Sequence, residues 1–432
     1  MQWIPRADGL RSLLKPRTVA ERNVRNVLVD GIGVGIVTGV GTFLPVFLAR
    51  LGASSLLVGL LTSLPALTGA LMAVPIGRFL ERQRNVVPWY SRMRVWVLWS
   101  YAVFGLLPFV LPLGAVPWAV IAIWAMVTLP STVVNVAFTV VMGGVAGPKN
   151  RFALMSMRWS SLGAVTAITV ALVGQFLVRF PFPLNYQLVF IGSFLGGLLS
   201  YLFSRSIVLP DQQPDAPAPN GPWRPSFRRW LGSLAEVART APPAFRRFAG
   251  SAFVFRCGMA MGLPLFPLYW VREVQASDAW IGIITTANSG VLLVAYFIWS
   301  AATRRMGVGG VLLASSLGMA LYPLATAGTQ TVWLLAIFAG LAGFFAAGND
   351  LVNFDLVLST IPADHQASYV GFYQTLQNAA LFIMPLVGTL IADAIGIGAA
   401  LVVAGVLRLS GAGMYLALGI GRAPRPSEAP SR

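Results

Sequence analysis

Of the ionisable residues inside long apolar runs, five are the groups best placed to do chemistry: Asp30, Arg158, Arg256, Asp350 and Asp355. At membrane depth such a group costs several kcal/mol unless it is paired or wet, so each calls for a partner or a task. Asp30 lies about one turn into the first apolar run and Arg158 one to two turns into the fifth. Asp30 therefore reads as a proton site, as a partner of Arg158, or as an acid at a helix N-terminus held by the dipole and interfacial water. Arg256 is about nine residues into the seventh run, roughly 13 Å deep at about 1.5 Å per residue. Asp350 lies at similar depth in the tenth. The two can form a permanent pair, or Arg256 can bind an anionic solute group while Asp350 is released to titrate.

Neutral polar residues form faces near these charges. At about 100° per residue, Asn349 and Asn353 are about 40° apart and Asp350 about 60° from Asn353, a single stripe. Asp355 falls about 120–160° from all three, which predicts packing against another helix. Gln374, Gln377 and Asn378 follow i, i+3, i+4 spacing beside Tyr373, and suit either polar organic solutes or helix–helix hydrogen bonding. Gly31, Gly33, Gly35, Gly39 and Gly41 follow Asp30 at spacings that suit close helix packing.

The elements that must hold these residues are membrane spans. Apolar residues make up 56% of the 432-residue chain and charged residues only 10%, too few to cover a soluble fold of this size. The apolar runs approach the twenty residues needed to cross a bilayer. Spans are expected near 26–49, 56–80, 89–111, 116–145, 152–178 and 184–208, then near 247–271, 279–303, 309–327, 331–360, 366–393 and 397–421. The fold class is thus an all-α membrane protein of twelve transmembrane helices. With a cytoplasmic N-terminus, 26 of the 31 basic residues fall in cytoplasmic segments and adjoining helix ends, while Arg50, Arg179 and Arg272 fall outside. That asymmetry places both termini in the cytoplasm. It also explains the net charge of +17 without nucleic acid. Residues 1–25 read as a cytoplasmic tail rather than a cleaved signal, and 422–432 as a second tail.

Single Cys257 and single His365 exclude an intramolecular disulfide, a thiolate cluster and a histidine metal site within one chain. No metal or other cofactor is expected. A membrane-embedded enzyme would have to rely on carboxylates alone, and no paired-acid motif suggests one. Residues 209–246 form one long hydrophilic break. Its Pro-rich start is followed by FRRWLGSLAEVART, a basic amphipathic helix at the inner surface or a plain linker.

The break separates two six-span halves, 26–208 and 247–421, that match internally. Val58–Ser63 corresponds to Ile281–Thr286 and Phe43–Phe47 to Leu265–Tyr269. Asn135 and Asn349 each precede a proline, Pro148 and Pro362, by the same interval. Such repeats are a mark of secondary transporters, and Asn135 becomes the pseudo-symmetric partner of Asn349.

This arrangement resembles the major facilitator superfamily. The loop after the second span, Gly77-Arg78-Phe79-Leu80-Glu81-Arg82-Gln83-Arg84-Asn85, keeps the family's glycine, acid and two basic positions and departs at Asn85. The run MPLVGTLIADAIG looks like the family's usual end of the eleventh span. The resemblance implies two pseudo-symmetric six-helix bundles and a cavity lined by spans one, four, seven and ten. It also implies a conformational latch at Gly77, Glu81, Arg82 and Arg84, with Gly77 admitting a close neighbour. Asn135, Asn349, Asn353, Tyr373, Gln374, Gln377 and Asn378 become cavity candidates, and Asp30, Arg158, Arg256 and Asp350 transport or proton-coupling candidates. The implied function is alternating-access transport of a small organic solute by a monomer in the cell membrane, coupled to H+. The loop signature points to efflux, although the fifth span lacks the glycine-proline motif of the family's drug/proton antiporters. The alternatives are an uptake permease for a sugar, metabolite or carboxylate, or a transport-inactive receptor.

Overall fold

The computed structural model describes residues 16–81, 83–209, 236–360 and 366–421. All regular structure among them is helical. We number the helices α1 Val19–Gly41, α2 Leu44–Arg50, α3 Ser55–Glu81, α4 Val87–Val110, α5 Val116–Leu177 and α6 Leu184–Ser204. They continue as α7 Pro243–Leu268, α8 Asp278–Ala327, α9 Val332–Ser359, α10 Gln366–Ile395 and α11 Ile397–Ala417. The amphipathic helix expected in the linker lies outside the described residues except for its last few positions.

Eleven segments are long and apolar enough to cross a membrane. Two helices are too long for a single crossing. Helix α5 carries two apolar stretches, Val116–Ala146 and Met157–Leu177. Helix α8 has 50 residues, about 75 Å if straight, but Gly307 interrupts it at φ 72° and ψ 168°. That left-handed backbone is open to glycine at little cost. The break turns one long apolar segment into two spans and brings the total to twelve, as expected from the sequence. The chain divides into two compact units: Met1–Gly221 with Gln275–Thr286, and Pro222–Val274 with Ala287–Arg432.

In the first unit a capping box starts α1. Thr18 accepts from the Glu21 amide at 3.1 Å, and Glu21 accepts back from the Thr18 amide. Helix α1 then packs on α5 and α6. At Gly33 an added Cβ would lie 2.5 Å from the Gly196 carbonyl oxygen, so α1 and α6 meet backbone to backbone. The second unit repeats the device: an added Cβ on Gly258 of α7 would lie 2.7 Å from the Ala404 carbonyl oxygen of α11. At the start of α1, Asn23 exchanges two hydrogen bonds with Val208, and Asn26 donates to the Ser206 carbonyl, fixing the end of α6 alongside.

The opening residues of α8 pack with the first unit. Arg50 pairs with Asp278 at 2.7 Å and donates to the Ala276 carbonyl, while the Tyr186 hydroxyl donates to Asp278. Charge-assisted bonds of this kind hold a segment firmly because two elements share one carboxylate. In a thermal-melting cycle, Arg50→Ala and Asp278→Ala are expected to show a coupling of about 1–3 kcal/mol, which the Arg50→Asp/Asp278→Arg exchange partly restores. Additive losses would mean that the pair contributes nothing beyond its two side chains.

Candidate functional site

The first unit encloses Asp30 completely, at 0% exposure. Arg94 Nη1 from α4 donates to both carboxylate oxygens, at 2.6 and 2.7 Å. Arg158 Nη2 from α5 donates at 3.0 Å, the Ser200 hydroxyl from α6 at 2.6 Å and the Tyr90 hydroxyl at 3.2 Å. Four spans therefore converge on one carboxylate. Two guanidiniums face one acid, and the surplus positive charge rests on aromatic rings: Arg94 lies 4.2 Å above Tyr90, and Arg158 lies 4.7 Å from the Phe138 ring. Asp30 pairs with Arg158, one of the arrangements open from the sequence. Arg94, Tyr90 and Ser200 were not foreseen. The signal for Arg94 was its depth, eight residues into α4 or about 10 Å, more than a helix-end arginine needs.

The second unit arranges its charges differently. Asp350 on α9 is exposed, and its Oδ2 accepts from the Tyr296 hydroxyl of α8 at 3.3 Å. Arg256 on α7 is half-buried, within electrostatic reach of Tyr373 and Asp350. Its Nε is buried without a hydrogen-bond partner. No ion pair joins Arg256 to Asp350, so the permanent pair is not formed. The reason is that Tyr296 supplies Asp350 with a donor and its exposed carboxylate is not driven to neutralise Arg256.

The stripe expected on α9 divides. Asn349 is buried and donates to the Ser316 hydroxyl at 2.9 Å, and Asn353 donates to Asn349 Oδ1 at 2.7 Å. The Asn349 amide holds α9 against α8, Asn353 bonds back to Asn349 within α9, and of the three Asp350 alone is exposed. Asp355 is exposed and lines a cavity of about 660 Å³ with Ser359 of its own helix, Gly307 of α8 and Tyr415 of α11. On α10, Tyr373 stacks on Phe248 at 5.8 Å. Gln374 is exposed, while Gln377 and Asn378 are half-buried. Gln377 Nε2 is buried and unpartnered. Asn135 is exposed on α5.

Arg408 on α11 is 3% exposed, and its guanidinium donates to the carbonyls of Gly258 and Met319. It ties α7, α8 and α11 together through backbone acceptors, where the first unit uses a carboxylate.

At the loop signature, an added Cβ on Gly77 would meet, among the described residues, Val136 at 4.0 Å, an ordinary contact rather than a close approach. Asn85 Oδ1 accepts from the Val87 amide at 2.9 Å and helps to start α4, which accounts for an amide where a basic residue is usual. Arg84 is exposed. The side chain of Glu81, and Arg82 altogether, lie outside the described residues.

Residues 248–432 match the model of the Major Facilitator Superfamily. Among curated relatives, the multidrug resistance protein MdtG of Proteus mirabilis (strain HI4320) is 25% identical over 150 residues, 34% of this chain and 37% of the relative. The match thus spans little more than a third of that relative's length. Among solved structures, the nucleoside transporter NupG aligns with a TM-score of 0.69 at 13% identity, over 92% of this chain and 98% of that one. A POT family transporter in complex with 5-aminolevulinic acid aligns at 0.69 and 12% identity, over 92% and 96%. These structural likenesses concern the fold as a whole.

Proposed function

Because the chain belongs to the major facilitator superfamily, and is a multi-pass membrane transporter, we propose that it exports a small amphipathic organic solute by alternating access, driven by H+. The observation that carries this reading is the contrast between the two units. Every acceptor direction of Asp30 is taken by two arginines and two hydroxyls, so it serves as an anchor. Asp350 has one neutral donor and an exposed carboxylate, and Arg256 nearby has no ion-pair partner. An acid and a base held apart on different helices can each exchange partners during a cycle, as proton and solute require. In this assignment Asp350 carries the proton. Arg256, Tyr373, Gln374, Gln377 and Asn378 meet the solute, and Gly77, Glu81, Arg82 and Arg84 act as the latch. Both termini are cytoplasmic, the membrane is the cell membrane and the working unit is a monomer. The stretch shared with MdtG, a multidrug resistance protein, supports export.

Arg256 also favours a second reading, uptake of an anionic metabolite, because an unpaired guanidinium suits a carboxylate. Flux in inverted and right-side-out vesicles separates the two. With an amphipathic dye, inverted vesicles are expected to accumulate it when their interior is acid, and a protonophore to abolish the accumulation. Accumulation of an organic anion only in right-side-out vesicles would overturn export.

A further inference from the structure

At the start of α1 lies a cavity of about 440 Å³ lined by Arg22, Arg25, Arg205, Asn26 and Leu202. Among the described residues no carboxylate lines it. The nearby Glu21 is occupied by the Arg17 and Thr18 amides. None of the three arginines takes part in an ion pair among the described residues. Arg25 rests on the Phe203 ring, with its Nε buried and unpartnered. Two of these arginines occupy the first two turns of α1, where the helix's positive end opposes them. Three like charges at such a place call for an anion.

A second feature narrows its chemistry. Asn26 is 1% exposed; its amide nitrogen donates to Ser206, but its Oδ1 is buried with no donor. The cavity thus offers guanidinium donors and one idle acceptor. Its edge is apolar, with Leu202 39% and Val208 53% exposed, the character of a surface that meets acyl chains.

We propose that this cavity is a binding site for an anionic glycerophospholipid of the inner leaflet. Its phosphate sits among Arg22, Arg25 and Arg205, and a headgroup hydroxyl donates to Asn26 Oδ1. The placement in the inner leaflet rests on the cytoplasmic assignment of the termini; the binding itself does not. Phosphatidylglycerol carries both the phosphate and the hydroxyl. Phosphatidylcholine has a compensating cation and no donor.

The test is native mass spectrometry and thermal melting of the full-length protein in mild detergent, supplemented with either lipid. One phosphatidylglycerol is expected to be retained per chain and to raise the melting temperature above that in phosphatidylcholine. Arg22→Gln/Arg205→Gln changes two exposed side chains and is expected to weaken retention at least tenfold, with melting in phosphatidylcholine unchanged. Equal retention by the double variant overturns the site. Displacement of phosphatidylglycerol by millimolar glycerol phosphate overturns the lipid assignment in favour of a soluble phosphate ligand. Neither result depends on which solute is transported, so failure here leaves the transport reading standing.

Discussion

Asp30→Ala is expected to destabilise the protein by about 3–5 kcal/mol, because it strands two arginines in a buried site. Asp30 is 0% exposed, Arg94 5% and Arg158 2%, so water cannot replace the lost carboxylate without opening the helix interface. The Nε atoms of both arginines are already buried without partners, which leaves little spare hydrogen bonding to absorb the change. At roughly 2–4 °C per kcal/mol for a body of this size, the melting temperature falls by about 10 °C. Removing one of the stranded charges tests the cause. Asp30→Ala/Arg158→Leu is expected to regain part of the loss, since Arg158 then leaves no unpaired charge and Arg94 keeps its aromatic contact. A fully stable Asp30→Ala protein that no longer responds to a pH gradient would reverse the assignment and make Asp30 the proton carrier.

Asp350→Asn is expected to abolish pH-driven transport, by at least about tenfold, while solute binding or exchange persists. Asparagine preserves size and can still accept from Tyr296, whose 3.3 Å bond is the only one described for this carboxylate. Because Asp350 is exposed and not ion-paired, its neutralisation strands no charge, and melting should change little. This separation of transport from stability is the reverse of that expected at Asp30. Uncoupled exchange, measured by preloading proteoliposomes with the solute at equal pH, completes the test. Undiminished gradient-driven flux in the Asn variant would remove Asp350 from coupling.

The twelve spans were legible because length and exclusion of charge are local properties of the chain. Even Gly307, where one 50-residue helix becomes two spans, sits at the boundary that the hydrophilic pair Arg304-Arg305 marks in the sequence. The Asp30–Arg158 contact was legible because each residue stands alone in an apolar run. Arg94 was hidden among the basic residues that line the inner ends of helices, and only its depth distinguishes it. On α9, angular spacing gave the relative directions of Asn349 and Asp350 but not what each direction meets. Ser316 of α8 captures Asn349, and no wheel drawn on one helix contains Ser316. The same holds for Asp278, whose partners Arg50 and Tyr186 are 228 and 92 residues away in the chain.

The convergence of four helices on Asp30 also sets a schedule for synthesis. Asp30 emerges from the ribosome 64 residues before Arg94, 128 before Arg158 and 170 before Ser200. At roughly 5–20 residues per second, it waits about 3–13 s for its first cation and two or more times longer for its last donor. During that interval α1 carries an unmatched carboxylate into the membrane, and its glycine-lined face has nothing to pack against. The nascent first unit is therefore most exposed to quality-control proteases before α4 arrives, and truncations that end ahead of Arg94 should be degraded faster than those that end just beyond it.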